Sequence, residues 1–374
     1  VTVLRIDQVV PSLGGRDAVG GHVLYLRDLL RELGHPSDIW VRGVFPELRR
    51  EARLLEDLPP APRPGSVWLY HLAVGSPIAE LLAARPEPLA VDYHNVTPAH
   101  LLGHWVPAWA VQSAVEGRRQ VVDLAGRAQF AVADSSYNAS ELTAAGYEAV
   151  AVAPPLFRSG AVPPDPATLE RLRRSRVEGT VDWLFVGRLA PNKAQHDLVK
   201  AVAAADRWLG RRCRLRLVGT GLGDAYAAAV RQFAHRLGLA DRVELVGSVD
   251  DSILAAYYAA ADVFVSTSDH EGFGVPLVEA MAAGLPVVAF AAAAVAETVA
   301  GGGLLLDDKS PLTVAQAACR VVDDAAVRRR LVDAGRRRAA QFGFERLRRR
   351  WTEVVAELVD AVDRHGTRLT GASR

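Results

Sequence analysis

Residues 269–281 read DHEGFGVPLVEAM. Glu271 and Glu279 stand with seven residues between them, and Gly272 and Gly274 flank Phe273 just before Val275 and Pro276. The run before this segment, 263–265, is Val-Phe-Val, which predicts a buried strand. The segment therefore begins at a strand's C-terminal end, the edge where open parallel sheets bind ligands. Glycines there admit backbone conformations and close approaches that a side chain would block. Pro276 suits the first turn of a helix, where its missing N–H costs nothing. Bare N–H groups at a helix start, together with the positive end of the dipole, make an anion site, most often for phosphate. Glu279 falls about one turn into that helix. There it either complements the dipole or accepts two hydrogen bonds from a diol such as a ribose. Glu271, ahead of the glycines, is placed to face the other end of the same ligand.

A second stretch, VGRLAPNKAQHDL at 186–198, follows another apolar run and supplies Arg188 and Lys193 at the same kind of strand end. Two cations there can clamp a diphosphate; the alternative is a pair of solvated loop charges. Composition favours the clamp. Of 44 basic residues 41 are arginine, and the only lysines are Lys193, Lys200 and Lys309. A lysine in a chain that otherwise writes arginine points to a need for a compact ammonium.

Around these motifs the chain alternates strands with helices. Strands are expected at 3–10, 38–42, 67–71, 90–94, 130–134 and 149–153, then at 183–186, 215–218, 243–246, 263–265 and 287–290. Val23, Leu26, Leu30 and Leu33 repeat at helical spacing after the first strand. The pattern lapses over 158–180, which is rich in proline and charge and reads as a linker with a short helix. The apolar runs are continuous rather than alternating, as in parallel strands covered on both faces. The fold class is α/β: two doubly wound Rossmann-like domains facing a central cleft, 1–170 and 178–343. A last amphipathic helix, 344–363, carries Leu347, Trp351, Val354, Val355, Leu358 and Val362 on one stripe and must dock on one of them.

Composition excludes several classes. With a net charge of +1 and half its residues hydrophobic, the chain shows no bias toward nucleic acid. The arginine triplets at 328–330, 336–338 and 348–350 interleave with apolar positions and read as solvated helix faces, with a polyanion or membrane patch as the alternative. Cys213 and Cys319 lack CxxC spacing, which gives neither a disulfide framework nor a zinc site and fits a reducing cytoplasm. No signal peptide is read at the start, and the most apolar segment, 280–296, is broken by Gly284-Leu285-Pro286 and reads as helix, turn and strand.

The paired glutamates, Gly272-Phe273-Gly274, and Arg188 with Lys193 resemble the donor-site signature of the family 4 glycosyltransferases. The resemblance extends to AVGGHVLYLRDLL at 18–30, VDYHNVTPA at 91–99, VADSSYNASEL at 132–142 and most of 183–306. It implies a retaining, metal-independent GT-B enzyme that takes a sugar from a UDP- or GDP-linked donor to a hydroxyl of a glycan, glycolipid or small-molecule acceptor. By position, Gly20 and Gly21 would form a loop over the diphosphate, and His94 would face the transferred sugar. Arg188 and Lys193 would hold the phosphates. Glu271, with Gly272, Phe273, Gly274 and Val275, would meet the sugar, and Glu279 the ribose. Val249, in the turn after 243–246, would line the base pocket. The last helix would cross back to the first domain. The acceptor would be held by the first domain, and retention would follow from attack on the face the phosphate leaves, with that phosphate taking the acceptor's proton. At 290–298, FAAAAVAET stands where many relatives carry a glycine pair before Pro-Glu.

No cofactor beyond the nucleotide-sugar substrate is implied, and no metal, since no Asp-x-Asp stands at a strand end. The expected localisation is cytoplasmic, with peripheral contact at the inner face of the membrane left open, as is the oligomeric state. Two rivals remain: a non-catalytic nucleotide- or sugar-binding module of the same fold, and an NAD-dependent oxidoreductase. The second is suggested by VGTGLGD at 218–224, whose glycine spacing is GxGxG rather than GxGxxG. Trp105 and Trp109 in HWVPAW read as core residues, with a sugar-stacking surface as the alternative. Arg42, Arg49, Arg50 and Arg53 read as a solvated loop, with contact to a lipid headgroup or a phosphate-bearing acceptor as the alternative.

Overall fold

The computed structural model describes residues 3–14, 18–160, 162–221 and 223–371, with side chains as far as Arg364. It divides the chain into two compact units. The first comprises Val1–Pro98, Gln112–Phe157 and Phe344–Arg374; the second comprises Ala99–Val111 and Arg158–Gly343.

The sheet of the first unit contains β1 (Arg5–Leu13), β2 (Ile39–Val44), β3 (Arg53–Leu54), β4 (Ser66–Leu72), β5 (Leu89–Tyr93), β6 (Ala128–Ala133) and β7 (Val150–Val152). They lie in the order β3-β2-β1-β4-β5-β6-β7, and every pairing is parallel. The second unit repeats the plan with β8 (Val181–Val186), β9 (Cys213–Val218), β10 (Val243–Gly247), β11 (Val263–Ser266), β12 (Val287–Phe290) and β13 (Leu304–Leu306). Their order is β10-β9-β8-β11-β12-β13, again parallel throughout. The order reverses between β1 and β4 in one sheet and between β8 and β11 in the other. A ligand crevice opens at such switch points, beyond the carboxyl ends of the strands. Every residue of β4 and β5 is buried, which accounts for their unbroken apolar runs. Trp68, Tyr70 and Tyr93 fill the core of the first unit, and Trp183, Phe185 and Leu215 that of the second.

Four local expectations change. The domain boundary falls at Arg158 rather than beyond 170. The helix Pro166–Arg174 within the expected linker belongs to the second unit, where Asp165 N–H donates to Ser252 O at 2.8 Å and Arg176 pairs with Asp262 at 2.6 Å. Strands β3 and β13, two and three residues long, are too short to show a periodic signal. Trp105 and Trp109 are 49% and 61% exposed, so they are not core residues. The arginine triplets are only partly solvated. Arg328 donates to Asp262 O, Arg338 to the carbonyls of Glu297 and Thr298, and Arg350 to Val152 O. A guanidinium on a long apolar stem reaches such backbone carbonyls from a helix face.

The final helix runs Phe344–Gly371 and packs on the first unit. Trp351 anchors it: the ring is 1% exposed, its Nε1 donates to Pro154 O at 2.8 Å, and it lies 4.7 Å from the ring of His22. No helix among the described residues is long and apolar enough to cross a membrane. Trp351→Ala removes a fully packed indole and its hydrogen bond and should cost about 3–5 kcal/mol of stability. Urea denaturation followed by circular dichroism measures it, and a loss below about 1 kcal/mol would show that the helix docks without this anchor.

Candidate active site

In the second unit the sequence motifs meet at the switch point. Arg188 follows β8. The turn Pro191–Lys193 leads into the helix Gln195–Leu209, and residues 267–274 connect β11 to the helix Val275–Ala282. Lys193 Nζ lies 2.6 Å from Glu271 Oε2, so two motifs far apart in sequence share one ion pair, with both side chains largely covered. Backbone bonds stitch the same loops together. Asp269 N–H donates to Asn192 O at 2.8 Å, and Thr267 Oγ1 donates to Ala194 O at 3.0 Å. Gln195 Nε2 reaches Arg188 O at 2.8 Å. The Arg188 side chain is exposed and makes no ion pair among the described residues, so its guanidinium is available to an anion.

Gly274 adopts φ +92° and no side chain caps the helix it precedes; Pro276 has no N–H and Leu277 N–H donates to Gly274 O at 3.0 Å, so this helix start offers a ligand the Val275 N–H and the positive end of the dipole. Phe273 contributes backbone rather than ring. Its side chain is buried edge-on against Phe342 at 5.2 Å, and its carbonyl accepts from Thr298 Oγ1 at 2.6 Å. Arg338 in turn holds the carbonyls around Thr298. In the alanine-rich loop, Ala293 takes φ +50°, a glycine-like conformation, and Ala294 N–H donates to Glu271 O at 3.2 Å. Glu279 receives the Tyr258 hydroxyl at 2.8 Å. Burial pushes its carboxyl above the usual range, Tyr258 opposes that, and Asp251 adds to it. Val249 is half-buried just past β10, whose last residue, Gly247, accepts a hydrogen bond from Gly219 N–H at 2.8 Å.

The glycine turn after β9 packs against the Arg188 loop. A Cβ on Gly219 would sit 2.1 Å from Gly187 O, and one on Gly221 would sit 2.7 Å from Leu189 O. These glycines are explained by close packing of two loops and need no dinucleotide. Tyr258, Thr298, Arg338 and Lys309 are not among the site residues read from the sequence. Lys309 bridges Asp197 at 3.0 Å and Asp269 at 2.5 Å, and Lys200 also pairs with Asp197, at 2.8 Å. All three lysines of the chain therefore join this one network, a signal already present in their scarcity.

In the first unit, Gly20 and Gly21 are not in a loop. They lie in the first described turn of the helix Ala18–Glu32. A Cβ on Gly21 would meet nothing within 4 Å, so the backbone there is open to approach. His94 stands one residue past β5, with its side chain 1% exposed. Its Nδ1 lies 3.1 Å from Asp134 and its Nε2 3.0 Å from His71 Nδ1, so both ring nitrogens are engaged inside the unit. Asp92 and His94 share one face of a strand end, and Asp92 is the register partner of His71. His22, His71, Asp92 and His94 bring four donor atoms within 4.8 Å of one another. His22 Nδ1 accepts the backbone N–H of Leu156 at 2.8 Å, so its Nε2 keeps the hydrogen it presents to Asp92 at 2.9 Å.

A family model described as glycosyl transferases group 1 matches residues 180–324. A D-inositol 3-phosphate glycosyltransferase of Geodermatophilus obscurus is 36% identical over 243 residues, 63% of this chain and 53% of the relative. The GDP-mannose-dependent alpha-(1-6)-phosphatidylinositol monomannoside mannosyltransferase of Mycobacterium tuberculosis is 31% identical over 343 residues, 88% of this chain and 82% of the relative. The crystal structure of Anabaena HepE with UDP and glucose superposes with a TM-score of 0.74 at 20% identity, covering 94% of this chain and 99% of that one. The chain belongs to the group 1 glycosyltransferases, family 4, and its two parallel-sheet units are those of the GT-B fold. It spans about half the length of the D-inositol 3-phosphate glycosyltransferases it matches.

Two glycines separate packing from access. Gly219→Ala drives a Cβ into Gly187 O at a φ of +133° and should cost more than about 3 kcal/mol in thermal unfolding. Gly21→Ala meets open space within a helix and should stabilise by about 0.5–1 kcal/mol. Equal effects at the two positions would refute the packing account.

Proposed function

We propose that the chain is a retaining, metal-independent glycosyltransferase that moves a sugar from a UDP- or GDP-linked donor to a hydroxyl of a glycan, glycolipid or small-molecule acceptor. The Lys193–Glu271 pair at the switch point of the second sheet carries this reading, since it joins both donor motifs beside an uncapped helix start. Breaking the anomeric C–O bond leaves negative charge on the departing diphosphate. Arg188, Lys193 and the Val275 N–H at the helix start are the donors for that charge, placed before it develops. The phosphate takes the acceptor's proton, and the acceptor attacks from the face the phosphate leaves. Glu271 meets the sugar hydroxyls, and Glu279, steadied by Tyr258, accepts from the ribose diol. The Geodermatophilus and Mycobacterium relatives are named for inositol-containing acceptors, which makes a phosphoinositol-type hydroxyl the first acceptor to test.

Arg188→Ala and Lys193→Ala should each lower kcat about a hundredfold or more with the fold intact. Near-normal turnover in both would remove the phosphate clamp. Thermal unfolding with UDP, GDP and NAD, each with and without magnesium, tests the donor class. One nucleoside diphosphate at a hundred times its Kd should add about 2.7 kcal/mol independently of magnesium, whereas a response to NAD alone would overturn the reading.

Glu279 supplies a pH test. Only the ionised carboxylate accepts from both ribose hydroxyls, and its pKa is raised by burial. Nucleotide affinity should therefore fall with acidification at a higher pH than an ordinary carboxylate would give. Tyr258→Phe removes the bond that opposes the shift and should move that limb further up. Affinity independent of pH down to about 4.5 would return Glu279 to a dipole role.

A further inference from the structure

The amino edge of the first sheet, opposite its switch point, gathers four arginines. Arg5 opens β1, Arg53 opens β3, and Arg63 stands just before β4. Arg31 comes from the last turn of the helix Ala18–Glu32. With Pro36, Ser37 and Asp38, the residues that lead into β2, they line a cavity of about 490 Å³. That volume falls in the range of small-molecule sites.

Two carboxylates serve these four guanidinium groups. Asp38 meets Arg5 at 2.5 Å, Arg53 at 3.1 Å and Arg31 at 3.4 Å. Asp7, with its side chain 1% exposed, meets Arg5 at 2.9 Å and Arg63 at 3.0 Å through Oδ2, and its Oδ1 accepts the Asp38 N–H at 2.9 Å. The acids are therefore fully engaged, and the cations are not. Among the described residues the Arg53 guanidinium makes no hydrogen bond beyond its ion pair, and that of Arg63 makes one. Both lie over the buried Trp40 ring, at 5.7 and 5.3 Å from its centroid, which fixes their stems. Ser37 supplies a second, independent sign. It is 2% exposed, and its hydroxyl has no hydrogen-bond partner among the described residues. A buried hydroxyl without an acceptor is uncommon, and in the wall of a cationic cavity it is a ready donor to an oxyanion.

We propose that this cavity binds the dianionic phosphate of a phosphate monoester, free or carried as a lipid headgroup. Arg31, Arg53 and Arg63 hold the phosphate oxygens, and Arg5, tied to both aspartates, sets the frame. Four cations against two acids leave an excess of two positive charges. A phosphate monoester, with a charge of about −1.5 to −2 at neutral pH and three terminal oxygens, matches that excess better than a single carboxylate does. Guanidinium forks suit its oxygens, since each can donate two parallel N–H bonds. The site lies wholly within the first unit and does not depend on the glycosyltransferase reading.

The test is calorimetric titration of the full chain with inorganic phosphate and with glycerol 3-phosphate, at constant ionic strength set with chloride. Three proteins are compared: the unaltered chain, Arg31→Gln/Arg53→Gln, and Lys193→Ala, which removes a cation of the donor site. Arg31 and Arg53 are the most exposed of the four, so the double variant keeps the buried Arg5–Asp7–Arg63 contacts, and circular dichroism checks its fold. Affinity should fall about tenfold or more in the double variant and stay unchanged in Lys193→Ala. Arg53→Gln alone, at the most exposed position, should weaken binding in the same direction and serves if the double variant does not fold. Sedimentation with phosphatidylcholine vesicles separates the two sources. Retention by vesicles that contain phosphatidic acid, lost in the arginine variants and not matched by phosphatidylserine at equal charge, supports a headgroup. Binding of the soluble phosphates without such retention supports a free phosphate. Phosphate affinity that the arginine variants leave unchanged, or that falls only in Lys193→Ala, would overturn the proposal. So would a chain that binds neither soluble phosphate and is not retained by phosphatidic acid vesicles.

Discussion

Parallel pairing is the constraint on which this molecule is built. A parallel strand cannot be joined to its neighbour by a tight turn, so the chain must cross over through a helix each time. All strands of a sheet then end at one edge, and every loop that could carry chemistry gathers there. The reversal of strand order at β1/β4 and β8/β11 opens that edge where two crossovers diverge. The segments that hold Arg188, Lys193, Glu271 and Glu279 lie about eighty residues apart in pairs, yet they follow adjacent strands.

Within that frame, the loops are held by one another rather than by the sheet. Lys193 ties the loop after β8 to the loop after β11, and Lys309 ties Asp269 to Asp197. Carbonyl acceptors complete the mesh through Thr267, Gln195 and Thr298. A compact ammonium reaching several carboxylates in a crowded loop cluster suits lysine, whereas the planar fork of arginine suits backbone carbonyls along a helix face. Arg328, Arg338 and Arg350 reach carbonyls in this way, while other arginines, Arg176 and Arg214 among them, pair with carboxylates.

The first unit is organised differently. Its polar centre is a buried hydrogen-bond chain in which each tautomer is dictated by the next partner. Leu156 sets His22, Gln8 sets His71, and Asp134 sets one side of His94. Such a network holds its charge state as firmly as its geometry, because an unpaired buried polar group is costly.

Most of the strands, the charged and glycine-bearing loops after β8 and β11 and the docking helix with its Trp351 stripe were legible in the sequence, because continuous apolar runs, glycines at strand ends and helical spacing are local signals; β3 and β13 were too short to be. Gly20 and Gly21 were misplaced in a loop, since a glycine pair looks the same before a helix and within its first turn. Trp105 and Trp109 were misread because an aromatic residue's burial depends on what packs over it, not on its neighbours in the chain. The histidine network was not legible at all: His22, His71 and His94 are scattered singly, and nothing local says that their side chains meet. The sequence by itself determined which segments become strands and which strand ends carry cations, acids and glycines. Only the tertiary structure decided which of those ends face one another, because a hydrogen bond or an ion pair depends on distances of about 3 Å that sequence separation does not encode.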